Sequence, residues 1–126
     1  MKLISVESEA KKKSKAHYSS AVVHEGIVYI SGQLPMNPET GLPVKGPIAV
    51  QARTALQNLL VVLQAAGSSK EKVLRTTAYI PDVSMWEEVN QIYAEFFGSH
   101  KPARTVVPCT KLHYGCLIEI DAIAYI

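Results

Sequence analysis

The sequence predicts an α/β (α+β) sandwich: one mixed β-sheet with two long helices packed on one face. Three observations predict it. Two amphipathic segments of helical spacing, 48–66 and 84–98, each end at a glycine. Around them run stretches rich in Val, Ile, Thr and Tyr, the composition of strands. The order is strands, helix, strand, helix, strands, and no linker, repeat or low-complexity tract interrupts it. A chain of 126 residues with 48% hydrophobic content is expected to fold as one domain, 1–126, with a real core.

Taken in order, "KLISVES" reads as a short opening strand. "SAVVH" (20–24) and "IVYISG" (27–32) flank Glu25-Gly26, the two-residue signal of a hairpin. "LPMNPETGLPVKGP" (34–47), dense in Pro, Gly and Asn, reads as an irregular connection. In 48–66, Ala52, Ala55, Leu56, Leu59, Leu60 and Leu63 form one apolar stripe, and Gly67 stands where a C-terminal cap belongs. "VLRTTAYIPDV" (73–83) is the next strand. Ser84 with Glu87 three residues on predicts a capping box for the second helix, whose apolar side is Trp86, Val89, Tyr93, Phe96 and Phe97. "RTVVPCT" and "CLIEIDAIAYI" are the last strands, separated by "KLHYG".

The last strand has two faces. Ile118, Ile120, Ala122 and Ala124 point one way, and Leu117, Glu119, Asp121 and Ile123 the other. With helices on one face only, the second apolar face needs a cover, and in so short a chain that cover is another copy. A homo-oligomer is expected.

A net charge of +2 is too weak to argue for nucleic acid, and the basic run Lys11 to Lys15 reads as a solvated loop. No apolar run is long enough to span a bilayer. Cys109 and Cys116 make no disulfide framework, and histidines at 17, 24, 100 and 113 have no metal spacing, so no metal or cofactor is expected. A reducing, cytoplasmic compartment fits best. The lysine-containing start is weakly reminiscent of a mitochondrial targeting segment, although Glu7 and Glu9 are atypical of one. Nucleotide-binding glycine loops and a nucleophile elbow are both absent.

Candidate chemistry rests on a few side chains. Arg104, before the β-branched run Thr105-Val106-Val107, reads either as an ion-pair residue or as a fork for a ligand carboxylate, with backbone at Val106 available to the same ligand. Glu119 and Asp121 read as a solvated edge or as an acid/base group in a half-apolar interface. Ser31 fits a turn, and Tyr18 fits core or interface packing, with a hydroxyl that needs a partner if buried. His17 reads as a rim residue.

"YSSAV", "VYISGQLPMNPETG", "QARTALQNLLVVLQAAGSS", "VLRTTAYIPDV", "VNQIYAEFF", "PART" and "IEIDAIA" together resemble the Rid family of YjgF-type reactive intermediate deaminases, over nearly the whole chain. The resemblance implies a chorismate-mutase-like fold, a homotrimer with a central sheet core, and active sites in clefts between subunits. It implies hydrolysis of 2-imino and enamine acids such as 2-aminoacrylate and 2-iminobutanoate, without a cofactor. Catalytic roles fall on Arg104, Glu119 and Tyr18, substrate contacts on Arg104, Ser31, Tyr18 and Val106, and supporting roles on Asn90 and Asp121. The family is also associated with RNA cleavage, inhibition of translation and chaperone-like binding, which are the rival expectations. Three departures stand out. Thr105-Val106 replaces a common Ser-Cys pair and removes any thiol chemistry at 106. "AHYS" replaces "GPYS" at the pocket mouth, and Asp121 replaces a second glutamate.

Overall fold

The computed structural model describes residues 1–126: six strands and three α-helices in the order β1 (Lys2–Ile4), α1 (Glu9–Ser14), β2 (Ala21–His24), β3 (Ile27–Gln33), α2 (Ile48–Ala65), β4 (Val73–Ile80), α3 (Trp86–Phe97), β5 (Ala103–Pro108) and β6 (Glu119–Tyr125). The strands form one mixed sheet ordered β1-β2-β3-β6-β4-β5. All pairs are antiparallel except β4 with β5, which α3 joins as a crossover. The Glu25-Gly26 hairpin forms as expected, with both residues at positive φ (50° and 78°), the backbone a tight two-residue turn requires.

The core follows the two periodicities. From α2, Ala52, Ala55, Leu56, Leu59, Val62 and Leu63 are buried, and Leu60 only half so. They meet Val28 and Ile30 of β3, Ala78 and Ile80 of β4, and Ile118, Ile120, Ala122 and Ala124 at β6, with Val89, Ile92, Tyr93 and Phe97 of α3 completing the cluster. Beyond α2, Ser68 N–H returns to Leu63 O at 2.8 Å around Gly67, whose φ is +82°.

Three sequence expectations are corrected. The lysine run is not a loop: Ser8 caps a short helix, its hydroxyl accepting from Lys11 N–H at 3.1 Å, and three lysines fall in its last turn, where the helix dipole favours cations. The Ser84–Glu87 capping box does not form. Asp82 instead accepts from Ser84 N–H at 2.8 Å and starts a 3-10 turn over Val83–Met85, so α3 begins two residues later than expected. Trp86 is not core; it is 37% exposed.

The expected two faces are present. No helix covers the face that carries Leu3, Tyr29 and Tyr125, which are 62%, 49% and 42% exposed. Cross-strand neighbours on that face include Tyr29 with Ile123, Thr77 with Asp121 and Tyr79 with Glu119.

Candidate active site

The residues singled out in the sequence separate into two sets, on opposite faces of the sheet. The first set surrounds a cavity of about 610 Å³ lined by Tyr18, Ser31, Gly32, Asn58, His113 and Glu119 among others. The second lies at the edge strand β5.

A β-bulge shapes the first set. Ile30 pairs with Ala122 and Gln33 with Ile120, so Ser31 and Gly32 together oppose the single residue Asp121. An extra residue of this kind bends a strand and re-aims its side chains. Two bonds fix the bulge: Ser31 N–H to Ser20 O at 3.1 Å and Ser31 Oγ to Ser19 O at 2.7 Å. The Ser31 proton is therefore committed, and its oxygen faces a ligand only as an acceptor. Gly32 is pressed against Glu119. A Cβ there would stand 2.9 Å from Glu119 Cδ and 3.2 Å from Cγ.

Glu119 is placed from behind by Gln51. That side chain is 5% exposed; it donates to Gly46 O at 2.9 Å and accepts from Leu117 N–H at 2.8 Å, pinning the chain just before β6. Burial holds the Glu119 carboxyl above its ordinary range, the like charge of Asp121 raises it further, and His113 opposes both. Asp121 is held by Tyr79, whose hydroxyl donates to Oδ2 at 3.2 Å. A sign follows for the pH dependence of any reaction that uses ionised Glu119. A raised pKa pushes the acid limb of the rate profile upward, so Asp121→Asn removes the like charge and should move that limb to lower pH. A pH series of initial rates checks this, and an unmoved or raised limb contradicts the assignment.

The second set centres on Arg104. β5 lies parallel to β4 with Arg104 beside Thr76, which places Arg104 on the helix face, opposite to Glu119. Its Nη2 donates to Asn90 Oδ1 at 3.1 Å, which joins Asn90 to the site as a support for the guanidinium. The guanidinium carbon lies 5.2 Å from the Trp86 ring centre and 4.9 Å from that of Tyr93. Tyr93 is itself locked, its hydroxyl donating to Thr76 Oγ1 at 3.0 Å, and burial pushes its pKa up to about 12. None of the three ion pairs in the protein includes Arg104. Two aromatic faces and one amide oxygen thus orient a cation that keeps most of its five N–H donors. Val106 packs half-buried against the core beside Ala78, and β5, as an edge strand, keeps one side of its backbone unpaired.

The chain therefore gathers Tyr18, Ser31 and Glu119, with Asp121 alongside, and separately gathers Arg104, Asn90 and Val106; it does not bring Arg104 to Glu119. Sequence reasoning missed four contributors. Gly32 is needed for a close approach, Gln51 is a buried amide inside an apolar stripe, Trp86 was expected in the core, and His113 lies in a turn that shows no motif.

Comparison with known proteins agrees with this arrangement of elements. The profile of the family described as Endoribonuclease L-PSP matches residues 8–126. A RutC family protein of Pyrococcus horikoshii is 44% identical over 86% of this chain and 86% of its own length. The human 2-iminobutanoate/2-iminopropanoate deaminase is 40% identical over 85% of this chain and 78% of its own. Among solved structures, YyfA of Yersinia pestis, a Rid protein, superposes with a TM-score of 0.93 at 37% identity, covering 99% of this chain and 98% of its own. With a family profile spanning almost the whole chain, and a Rid structure that superposes along nearly its full length, this protein belongs to the L-PSP/YjgF family, to which the Rid proteins belong.

Proposed function

We propose that this protein hydrolyses short-lived 2-imino and enamine acids to 2-oxo acids and ammonia, in sites completed between copies of a homotrimer. The observation that carries the reading is the state of Arg104: a guanidinium oriented at a sheet edge by Asn90, Trp86 and Tyr93, with no carboxylate of its own chain attached. Such a fork matches a substrate carboxylate in bidentate fashion. Glu119, buried enough to be more basic than an ordinary carboxylate, is the matching acid/base group, but it faces the other way in the same protomer. Both halves exist in every copy. The uncovered sheet face, with Leu3, Tyr29 and Tyr125 exposed, supplies a surface by which copies meet. The name of the human relative supports the substrate class.

In this scheme Arg104 of one copy holds the carboxylate, with the free backbone of β5 at Val106 beside it. Tyr18 and the accepting oxygen of Ser31 orient the imine nitrogen. Glu119 draws a proton from water as the oxygen attacks the imine carbon. An iminium carbon is already electrophilic, so for the attack of water on carbon, positioning and a base of moderate strength suffice. No helix is long and apolar enough to cross a membrane, and the free thiols Cys109 and Cys116 suit a reducing compartment.

The test generates imine in place with an amino-acid oxidase or a threonine dehydratase and follows its loss with and without the protein. Faster loss with the protein, and a sedimentation mass of three chains, support the reading. Imine loss equal to buffer sinks it. RNA cleavage that survives re-purification and weakens with salt would put the ribonuclease reading in its place.

A further inference from the structure

The turn between β5 and β6 brings an imidazole into the cavity of Glu119. Residues His113–Gly115 make one 3-10 turn, inside which Tyr114 adopts φ 60° and ψ 16°. A left-handed conformation in a residue with a large side chain costs about 1 kcal/mol or more, and such strain collects at working sites. Gly115 follows at φ 69°, and the two left-handed residues reverse the chain sharply. The Tyr114 ring lies against the His113 imidazole, with centroids 3.7 Å apart. Both rings line the cavity that Tyr18, Ser31 and Glu119 line.

His113 is free for chemistry in a way the other histidines are not. His100 bonds Val73 O at 2.7 Å, and His24 sits on the outer hairpin 3.9 Å from the Glu25 carboxylate. His17 is exposed and lines no part of the cavity. The His113 ring is exposed and holds no hydrogen bond. Tyr114 of its own turn packs on it and Glu119 of β6 is near enough to feel its charge, and the other titratable groups lining the cavity are Glu7, Lys11 and Tyr18 of the N-terminal segment.

We propose that His113 and Glu119 work as an acid–base pair, in which the imidazolium supplies the proton that the departing nitrogen needs. The proposal rests on the deaminase reading above. Hydrolysis of a C=N bond has two demands. Water must lose a proton as its oxygen bonds to carbon, and the nitrogen must gain one before the C–N bond can break, because an amide anion does not leave. One carboxylate can serve both only by carrying the proton across the tetrahedral carbinolamine. With two groups the work divides. Glu119 takes a proton from water while the C=N pair moves onto nitrogen. His113 then protonates that nitrogen, the C–N bond breaks, and its electron pair leaves on ammonia. The hydroxyl proton passes to the now neutral His113 as the C=O bond forms, and Glu119 gives its proton to the ammonia. Iminium and water become 2-oxo acid and ammonium, and both groups regain their starting states. Histidine suits the donor role because its ring can give a proton to the nitrogen and take one back from the hydroxyl within the same cycle. The imidazolium also favours the ionised form of Glu119, against burial and Asp121.

The test compares wild type and His113→Gln, with Arg104→Ala as the reference, over pH 5 to 9 on imine generated in place. His113→Gln should lower kcat about 10- to 100-fold with KM within about twofold. It should also abolish the fall of kcat on the alkaline side and move the acid limb upward, since Glu119 loses a cationic neighbour. Free imidazole should restore part of the rate to His113→Ala, a rescue that a merely structural histidine would not allow. A His113→Gln protein with wild-type kcat and an unchanged profile, while Arg104→Ala remains impaired, overturns the pair and leaves the deaminase reading intact. A wild type without imine turnover overturns both.

Discussion

Arg104→Ala should lower kcat/KM for imine hydrolysis by about 100-fold or more while leaving circular dichroism and oligomer size unchanged. Two charge-assisted hydrogen bonds to a carboxylate are lost, each worth about 1.5–3 kcal/mol, and every 1.4 kcal/mol is a factor of ten. The fold should tolerate the change because the side chain sits at the rim of the sheet, pairs with no acid, and touches the core only through the Tyr93 ring. Lysine at 104 keeps the charge without the fork and should recover only part of the loss. A mixing experiment goes further. Arg104→Ala and Glu119→Gln proteins, each strongly impaired alone, should regain about a quarter of wild-type activity when co-assembled at equal ratio. That is the fraction of shared sites receiving an intact Arg104 from one copy and an intact Glu119 from the other. Silence of the mixture, with each variant confirmed in the same oligomer, would falsify the shared site.

Gly32→Ala is expected to reduce kcat about 10- to 100-fold with little change in melting temperature, an effect on chemistry rather than stability. The added methyl would occupy the place of the Glu119 carboxylate, 2.9 Å from its Cδ. The backbone cannot retreat, because Ser31 is tied on both its N–H and its hydroxyl to the segment before β2. Glu119 must therefore swing away, and a shift of about 1 Å at a reacting group is worth on the order of 100-fold. The residue is not at positive φ, so alanine brings no backbone strain of its own, and the displaced part is the end of a flexible side chain. Thermal melts and imine turnover measured on one preparation check both halves of the expectation. Unaltered kcat in a correctly folded variant would remove Glu119 from the position assigned to it.

Much of the fold was readable because its rules are local. The leucine and alanine stripe of α2, the Glu25-Gly26 turn and the alternation of β6 each follow from residues a few positions apart. Where short-range rules competed, reading failed. Ser84 and Glu87 match a capping box, but Asp82 reaches the Ser84 amide first and the helix starts later. Five residues, KKKSK, look like a solvated loop until Ser8 is seen to cap them.

The sequence by itself determined that β6 presents two distinct faces, where both long helices lie, and that Arg104, Tyr18, Ser31 and Glu119 are candidates for chemistry. Tertiary structure alone decided how those candidates are grouped. Pairing of β5 beside β4 turns Arg104 toward α3, and the bulge at Ser31-Gly32 packs a glycine against Glu119. The reason is that side-chain direction along a strand is set by register against its neighbours, and a one-residue change of register exchanges the faces. Register depends on contacts between residues far apart in the chain, such as Thr76 with Arg104 and Tyr79 with Glu119, which no local window contains.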